Sequence, residues 1–341
     1  VVPMNGDVVL DHGIWFRGVE SGSAASAVRR AAERLGAQLE LGDRPVADLA
    51  IITAELTSNL VKHAQEGMVL LRPVRRGGRA GVELIAVDHG PGMADLTVSS
   101  RDGHSTTGTL GIGLGAIVRQ ASWFDGYSLP QRGTVLAVQV WSGPAPEPSW
   151  AGALTRPMTG EQVSGDGYAV RVVEGRQQVL VCDGLGHGPL AAAASEAAVG
   201  AFRDAPNGSP GAVVRHLHRM MSHTRGAALA VAELDPAGGL LRYAGLGNIA
   251  AMIVVEGARR RGLVSLPGIA GHQNPVVREY DYPFQVGATL VMHSDGVVDR
   301  WDLADYPGLV GRAPLVVAAT LLRDAGIRRD DACVLVARAE P

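Results

Sequence analysis

Aspartates recur through the second half of this chain, and each stands where a strand-like apolar run begins or ends. Ser164-Gly165-Asp166 precedes Tyr168 to Val173. Asp183-Gly184-Leu185-Gly186-His187-Gly188 follows Val179 to Cys182. Ser294-Asp295-Gly296 follows Leu290 to His293, and Asp330-Asp331 stands directly before Ala332 to Ala337. If those strand ends converge, several like charges meet, and the arrangement needs cations. Hard oxygen donors select Mg²⁺ or Mn²⁺. A glycine after an aspartate lets a backbone carbonyl reach a metal, although one Asp-Gly pair alone is an ordinary turn signal.

A second constellation lies in the first half. In Thr53 to Ala64, Glu55, Asn59 and Lys62 share one helical face by their spacing. An amide oxygen can ligate Mg²⁺, an ammonium can meet phosphate, and a carboxylate can act as base. By itself this face reads first as a solvated side of an amphipathic helix. Asp88-His89-Gly90-Pro91-Gly92-Met93 then ends a strand: a buried aspartate there can accept an adenine amino proton, and glycines let backbone approach a ring. The same residues also favour a plain turn. Gly108-Thr109-Leu110-Gly111-Ile112-Gly113-Leu114-Gly115 opens a helix whose N-terminus favours phosphate. It matches neither a P-loop nor a dinucleotide fingerprint.

The elements that must position these residues divide at Ser142 to Ser149, whose three prolines make a stiff linker. The expected domains are 10–141 and 151–341, joined by a Pro-rich segment 142–150. In the first, strands are expected at Ile14 to Val19, Val69 to Leu71, Val82 to Val87 and Thr134 to Val140. Helices are expected at Ser21 to Leu35 with a stop at Gly36, at Arg44 to Gln65, and at Leu114 to Ala121. The second half reads mostly as strands, with helices at Pro189 to Phe202 and Gly211 to Ser222. Both halves are of the α+β class: an α/β sandwich, then a β-sandwich flanked by helices.

Composition sets outer limits. With 341 residues, 46% apolar and 19% charged, the chain has the make-up of globular domains. A net charge of −3 and no basic run argue against nucleic acid as a partner. No apolar stretch is long enough to span a bilayer, and Val1 to Leu10 has no signal-peptide pattern. Cys182 and Cys333 sit in apolar runs and read as reduced core residues of a cytoplasmic protein.

The three first-half motifs, in their order, resemble the N, G1 and G2 boxes of the GHKL (Bergerat) ATPases, and most of all the RsbT-like serine/threonine kinases of the anti-sigma-factor type. The resemblance implies Mg²⁺-ATP as ligand, Glu55 as general base, Asn59 as the Mg²⁺ ligand and Asp88 as the adenine reader. Lys62, Gly90, Gly92, Gly111, Gly113, Gly115 and Thr134 would line the nucleotide, and Asp95 to Thr107 would be its lid. The second half resembles the SpoIIE-like metal-dependent protein phosphatases, including RsbU-like and RsbX-like enzymes. That implies a site of two Mn²⁺ or Mg²⁺ ions about 3.5–4 Å apart that activates water for in-line attack on phosphorus. Asp183 would bridge the ions, Gly184 would offer its carbonyl, and Asp166, Asp295 and Asp330 would complete the shells. Asp331 is expected to be peripheral or solvated, and Arg156 is a candidate phosphate grip. The implied substrates are phosphorylated STAS-domain proteins of a bacterial partner switch, of the anti-sigma antagonist or stressosome type, with a sigma-factor regulator as a further partner. The alternative is a phosphatase whose first domain binds proteins in a nucleotide-dependent way without transferring phosphate.

Overall fold

In the computed structural model the chain falls into two compact units, Val1–Pro148 and Ser149–Pro341. The structure describes residues 9–10, 13–94, 96, 113–147, 149–255, 260–272 and 275–338.

The first unit runs β1 (Val9–Leu10), β2 (Ile14–Arg17), α1 (Gly22–Gln38), α2 (Asp43–His63), β3 (Met68–Arg76), β4 (Arg79–Val87), α3 (Gly113–Gln120), β5 (Trp123–Leu129) and β6 (Gly133–Trp141). Ser21 caps α1 by accepting from the Ala24 N–H. The helix does not stop at Gly36. A methyl there would come within 2.8 Å of Leu49 and 3.2 Å of Val46, so this glycine lets α2 approach closely. Gly77 and Gly78 both have positive φ and close the two-residue hairpin between β3 and β4. The strands form an antiparallel sheet in the order β1-β3-β4-β6-β5, with β2 also on β3. Val28, Ile52 and Leu56 of the helices pack with Val69, Leu84 and Val138 of the sheet in one core. Alternate residues of each strand turn that way because a strand repeats every second residue.

The second unit runs β7 (Ala151–Arg156), β8 (Asp166–Val173), β9 (Arg176–Gly184), α4 (Pro189–Arg203), α5 (Pro210–Met220), β10 (Ala227–Asp235), β11 (Leu240–Leu246), β12 (Ala250–Val254), β13 (Arg261–Gly262), β14 (Tyr280–Pro283), β15 (Thr289–His293), α6 (Pro314–Ala325) and β16 (Ala332–Arg338). Two five-stranded antiparallel sheets result, β14-β11-β10-β9-β8 and β13-β12-β15-β16-β7. Val181, Ala230 and Tyr243 of the first meet Ala153, Met292 and Leu335 of the second in a shared core. Neighbouring residues point outward: Leu180 and Leu229 pack with Phe202, Val213 and Leu217 of α4 and α5. Helix α6 covers β7 and β16.

Several elements differ from the sequence pattern, among them the short strands β1, β13 and β14, which it did not show. Helix α6 carries no helical periodicity because Pro314 to Arg323 is buried throughout, so no polar face marks it. Strand β7 begins before Thr155, the first residue of the expected apolar pattern, and β5 was not expected as a strand. Both cysteines are free and fully buried, and burial pushes the Cys182 thiol up to about 12. Among the described residues no helix is long and apolar enough to cross a membrane.

Candidate functional site

Strand direction brings the aspartates of the second unit together in pairs. β8 begins at Asp166 and β9 ends at Asp183-Gly184; the two strands are antiparallel, and Asp166 and Asp183 are direct register partners. In the other sheet β15 ends at His293 and β16 begins at Ala332, so Asp295 and Asp330 leave from the same edge. Ser294 ties the two edges. Its Oγ donates to Asp166 Oδ2 at 2.5 Å and accepts from the Cys333 N–H at 2.9 Å. Asn248 donates to Asp295 Oδ2 at 2.7 Å.

Asp331 is not solvated. It is buried, and its two oxygens accept from the Met158 and Gly165 N–H groups, both at 2.9 Å. Its role in this geometry is to hold the segment leading into Asp166. Arg156 is also spent inside: its buried guanidinium donates to the Ile327 carbonyl at 2.9 Å. His187 is exposed and sits 3.1 Å from Glu161. Gly184 has a steric reason to be glycine, since a methyl there would lie 2.2 Å from the Ala191 carbonyl oxygen.

Burial and mutual repulsion disturb this group strongly. Burial, then the charge of Asp183, pushes Asp166 well above the usual carboxylate range, against the opposing hydrogen bond from Ser294. Burial, then Asp295 and Asp330, raises Asp183 to about 7. Asp330 is raised by burial and by Asp295. These are hard oxygen donors whose repulsion a divalent cation would relieve, so their chemistry fits Mg²⁺ or Mn²⁺. Among the described residues no three His, Cys, Asp or Glu side chains are gathered tightly enough to hold an ion as they stand.

This has a consequence for stability without metal. A carboxyl whose folded pKa is raised keeps its proton more firmly folded than unfolded, so stability is present at low pH and is lost as pH rises through the folded value. For Asp183 that window runs from the usual carboxylate range up to about 7. The metal-free protein is therefore expected to melt at lower temperature at pH 8 than at pH 5.5, by an amount worth up to a few kcal/mol at about 1.4 kcal/mol per pKa unit. Saturating Mn²⁺ should remove the difference. Melting curves in chelator across that range check this, and a flat profile would contradict it.

In the first unit Glu55 and Asn59 are half-buried on α2, and Lys62 is exposed in its last turn. The start of α3 abuts the first two. A methyl on Gly113 would lie 2.9 Å from Glu55 Oε2 and 3.6 Å from Asn59 Oδ1. Gly115, two residues on, is buried. At the end of β4, Asp88 exchanges backbone hydrogen bonds with Thr134, and its Oδ1 accepts from the Gly90 N–H at 2.7 Å. Gly90 lies against the His63 carbonyl at the end of α2, and Gly92, with φ +66, lies against that of Leu129. Thr134 Oγ1 is 3.0 Å from Ser128 Oγ, which also accepts from the Met93 N–H. So Asp88, Gly90, Gly92 and Thr134 gather at one end of the sheet, next to the end of α2. Gly111 lies outside the described residues, as does all of the expected lid, residues 95–107, except Leu96.

Ser294, Asn248 and Ser128 were not singled out in the sequence. Ser294 carries one usable signal, its place directly before Asp295-Gly296.

Residues 173–340 match the family model described as Stage II sporulation protein E, and residues 20–139 match the histidine kinase-like ATPase domain. Serine/threonine-protein kinase RsbT of Bacillus subtilis (strain 168) is 36% identical over 115 residues, which are 33% of this chain and 86% of that protein. A solved structure from work on the bacterial stressosome as a modular system controlling secondary messenger signaling is 32% identical, with a TM-score of 0.51, covering 55% of this chain and 98% of its own. A structure of RsbX with magnesium is 15% identical at a TM-score of 0.46, over 55% of this chain and 92% of its own. The chain belongs to the RsbT-like serine/threonine kinase family through a histidine kinase-like ATPase domain, and joins to it a SpoIIE phosphatase domain.

Proposed function

We propose that the second unit removes phosphate from phosphoserine or phosphothreonine on a protein substrate, with Asp166, Asp183, Asp295 and Asp330 holding two Mn²⁺ or Mg²⁺ ions. The observation that carries this is the Ser294 bridge, which brings the carboxylate-bearing ends of two different sheets to one place. When bound, the ions would supply charge neutralisation at phosphorus and an activated water. The chain's own residues act around them. Ser294 fixes the orientation of Asp166. Asp331 anchors the backbone before it, and Asn248 orients Asp295. Phosphate release from phosphorylated STAS-domain proteins, with and without Mn²⁺, tests the reading. A chain inert on all of them with metal present would count against it.

We further propose that the first unit, 10–141, binds Mg²⁺-ATP. Asn59 would hold the metal, Asp88 the adenine, and Glu55 the proton of an attacking serine or threonine hydroxyl. The likeness to RsbT and to a stressosome structure supports STAS-domain proteins of a partner switch as the substrates of both units, in the cytoplasm. The competing reading, nucleotide-dependent binding without transfer, separates from this one by whether labelled phosphate reaches a partner.

Lys62 is the sole lysine of the chain. A compact ammonium meets a phosphate oxygen where a planar guanidinium crowds a neighbouring metal. Lys62→Arg is expected to weaken ATP binding or transfer more than tenfold with an unchanged melting temperature. Its place in the last turn of α2 also favours any cation. An arginine variant equal to the parent in both assays would therefore assign it to that role alone.

A further inference from the structure

With Arg156 buried and engaged with Ile327, the phosphatase reading has no side chain assigned to grip the phosphoryl group beside the ions. The ladder between β9 and β10 offers another arginine. Ala228 lies opposite Asp183 and Ala227 opposite Gly184. The pairing continues past both strands, because the Leu185 N–H donates to the Gly226 carbonyl at 3.0 Å. The next residue on each side is Gly186 and Arg225. Gly186 has φ +89, and a methyl placed on it would lie 3.3 Å from Arg225 Nη1. The guanidinium thus lies over the loop that follows Asp183, against Gly186, whose left-handed backbone favours glycine.

Two features hold the backbone around Arg225. Thr224 Oγ1 accepts from the Gly226 N–H at 3.0 Å, and Ala227 and Ala270 exchange backbone hydrogen bonds at 3.2 and 2.9 Å. The side chain itself is exposed. We propose that Arg225 binds the phosphoryl group of the substrate, its planar fork meeting two non-bridging oxygens. This rests on the phosphatase reading of the same site. Arginine suits the task because it pairs with phosphate through two parallel hydrogen bonds and never loses its charge. The carboxylates Asp183, Asp295 and Asp330 repel a dianionic phosphate, and a fixed arginine adds to what the bound ions would offset. Arg225 is then a determinant of substrate affinity and of product inhibition, and no part of the metal shell.

Calorimetric titration of inorganic phosphate into the Mn²⁺-loaded full chain tests this directly. Arg225→Ala is expected to weaken phosphate binding at least tenfold, with Arg225→Lys intermediate. KM for a phosphoprotein should rise in step, while the Mn²⁺ dependence and the melting temperature stay those of the parent. Arg329→Ala serves as the comparison, because Arg329 is also exposed and stands beside Asp330. It should bind phosphate as the parent does. A parent that fails to bind phosphate, an Arg225→Ala variant that binds it normally, or a loss found in Arg329→Ala instead would each overturn the proposal. Arg225-dependent phosphate binding in a chain that hydrolyses no phosphoprotein would keep Arg225 and reject the phosphatase reading.

Discussion

Asp183→Asn is expected to reduce phosphate release by about a thousandfold or more, the scale of losing a group that acts on the transition state. The same variant should be at least as stable as the parent without metal. Asp183 sits opposite Asp166 in the ladder and is raised to about 7 by burial and by Asp295 and Asp330. An amide of the same shape removes one charge from that crowd and can donate a hydrogen bond to its neighbour. The two readouts move in opposite directions, which a merely damaged fold cannot produce. Phosphate release at saturating Mn²⁺ and melting in chelator decide the matter. Near-parental turnover would dismiss the two-ion assignment, and a large drop in metal-free melting temperature would dismiss the electrostatic account.

Glu55→Ala carries the second large effect. It should leave ATP affinity close to that of the parent and lower phosphate transfer by about a hundredfold to ten-thousandfold, the usual contribution of a general base. Asn59→Asp should do the reverse, weakening ATP binding itself. The two side chains lie one turn apart and face the first residue of α3, but the carboxylate is assigned to the acceptor's proton and the amide to the metal. Calorimetry with ATP and transfer of labelled phosphate to a STAS-domain partner separate them. If parent and variant both bind ATP and neither transfers phosphate, the first unit is a nucleotide-dependent binding module.

The parts of the site that could be read from the sequence share a property: they repeat locally. Glu55 and Asn59 follow helical spacing, and Asp166, Asp183, Asp295 and Asp330 each mark a strand end. Both ends of α2 and the C-terminal end of β9 fall within two residues of the expected bounds. What escaped was set by contacts far apart in the chain. Nothing near Asp331 tells that its oxygens are taken by Met158 and Gly165, and Arg156 looks like a surface arginine until Ile327 arrives beside it. Arg225 was passed over for the same reason, since its neighbour Gly186 is reached only through the ladder. Helix α6 escaped by a different route: a helix buried on every side loses the polar stripe by which helices are recognised.

The pairing of β7 with β16 sets an order on biosynthesis. These strands are neighbours in one sheet, yet the first opens the second unit and the other comes last within it. Gly165 and Asp331, which meet in the site, are 166 positions apart. A growing chain therefore holds an apolar strand without its partner until almost the whole unit has left the ribosome, at about 5–20 residues per second. During those seconds the half-built sandwich is exposed to aggregation and to chaperones, while the first unit, already released, is free to fold. Dephosphorylating activity would thus appear abruptly, with the last strand, and never in a prematurely terminated product.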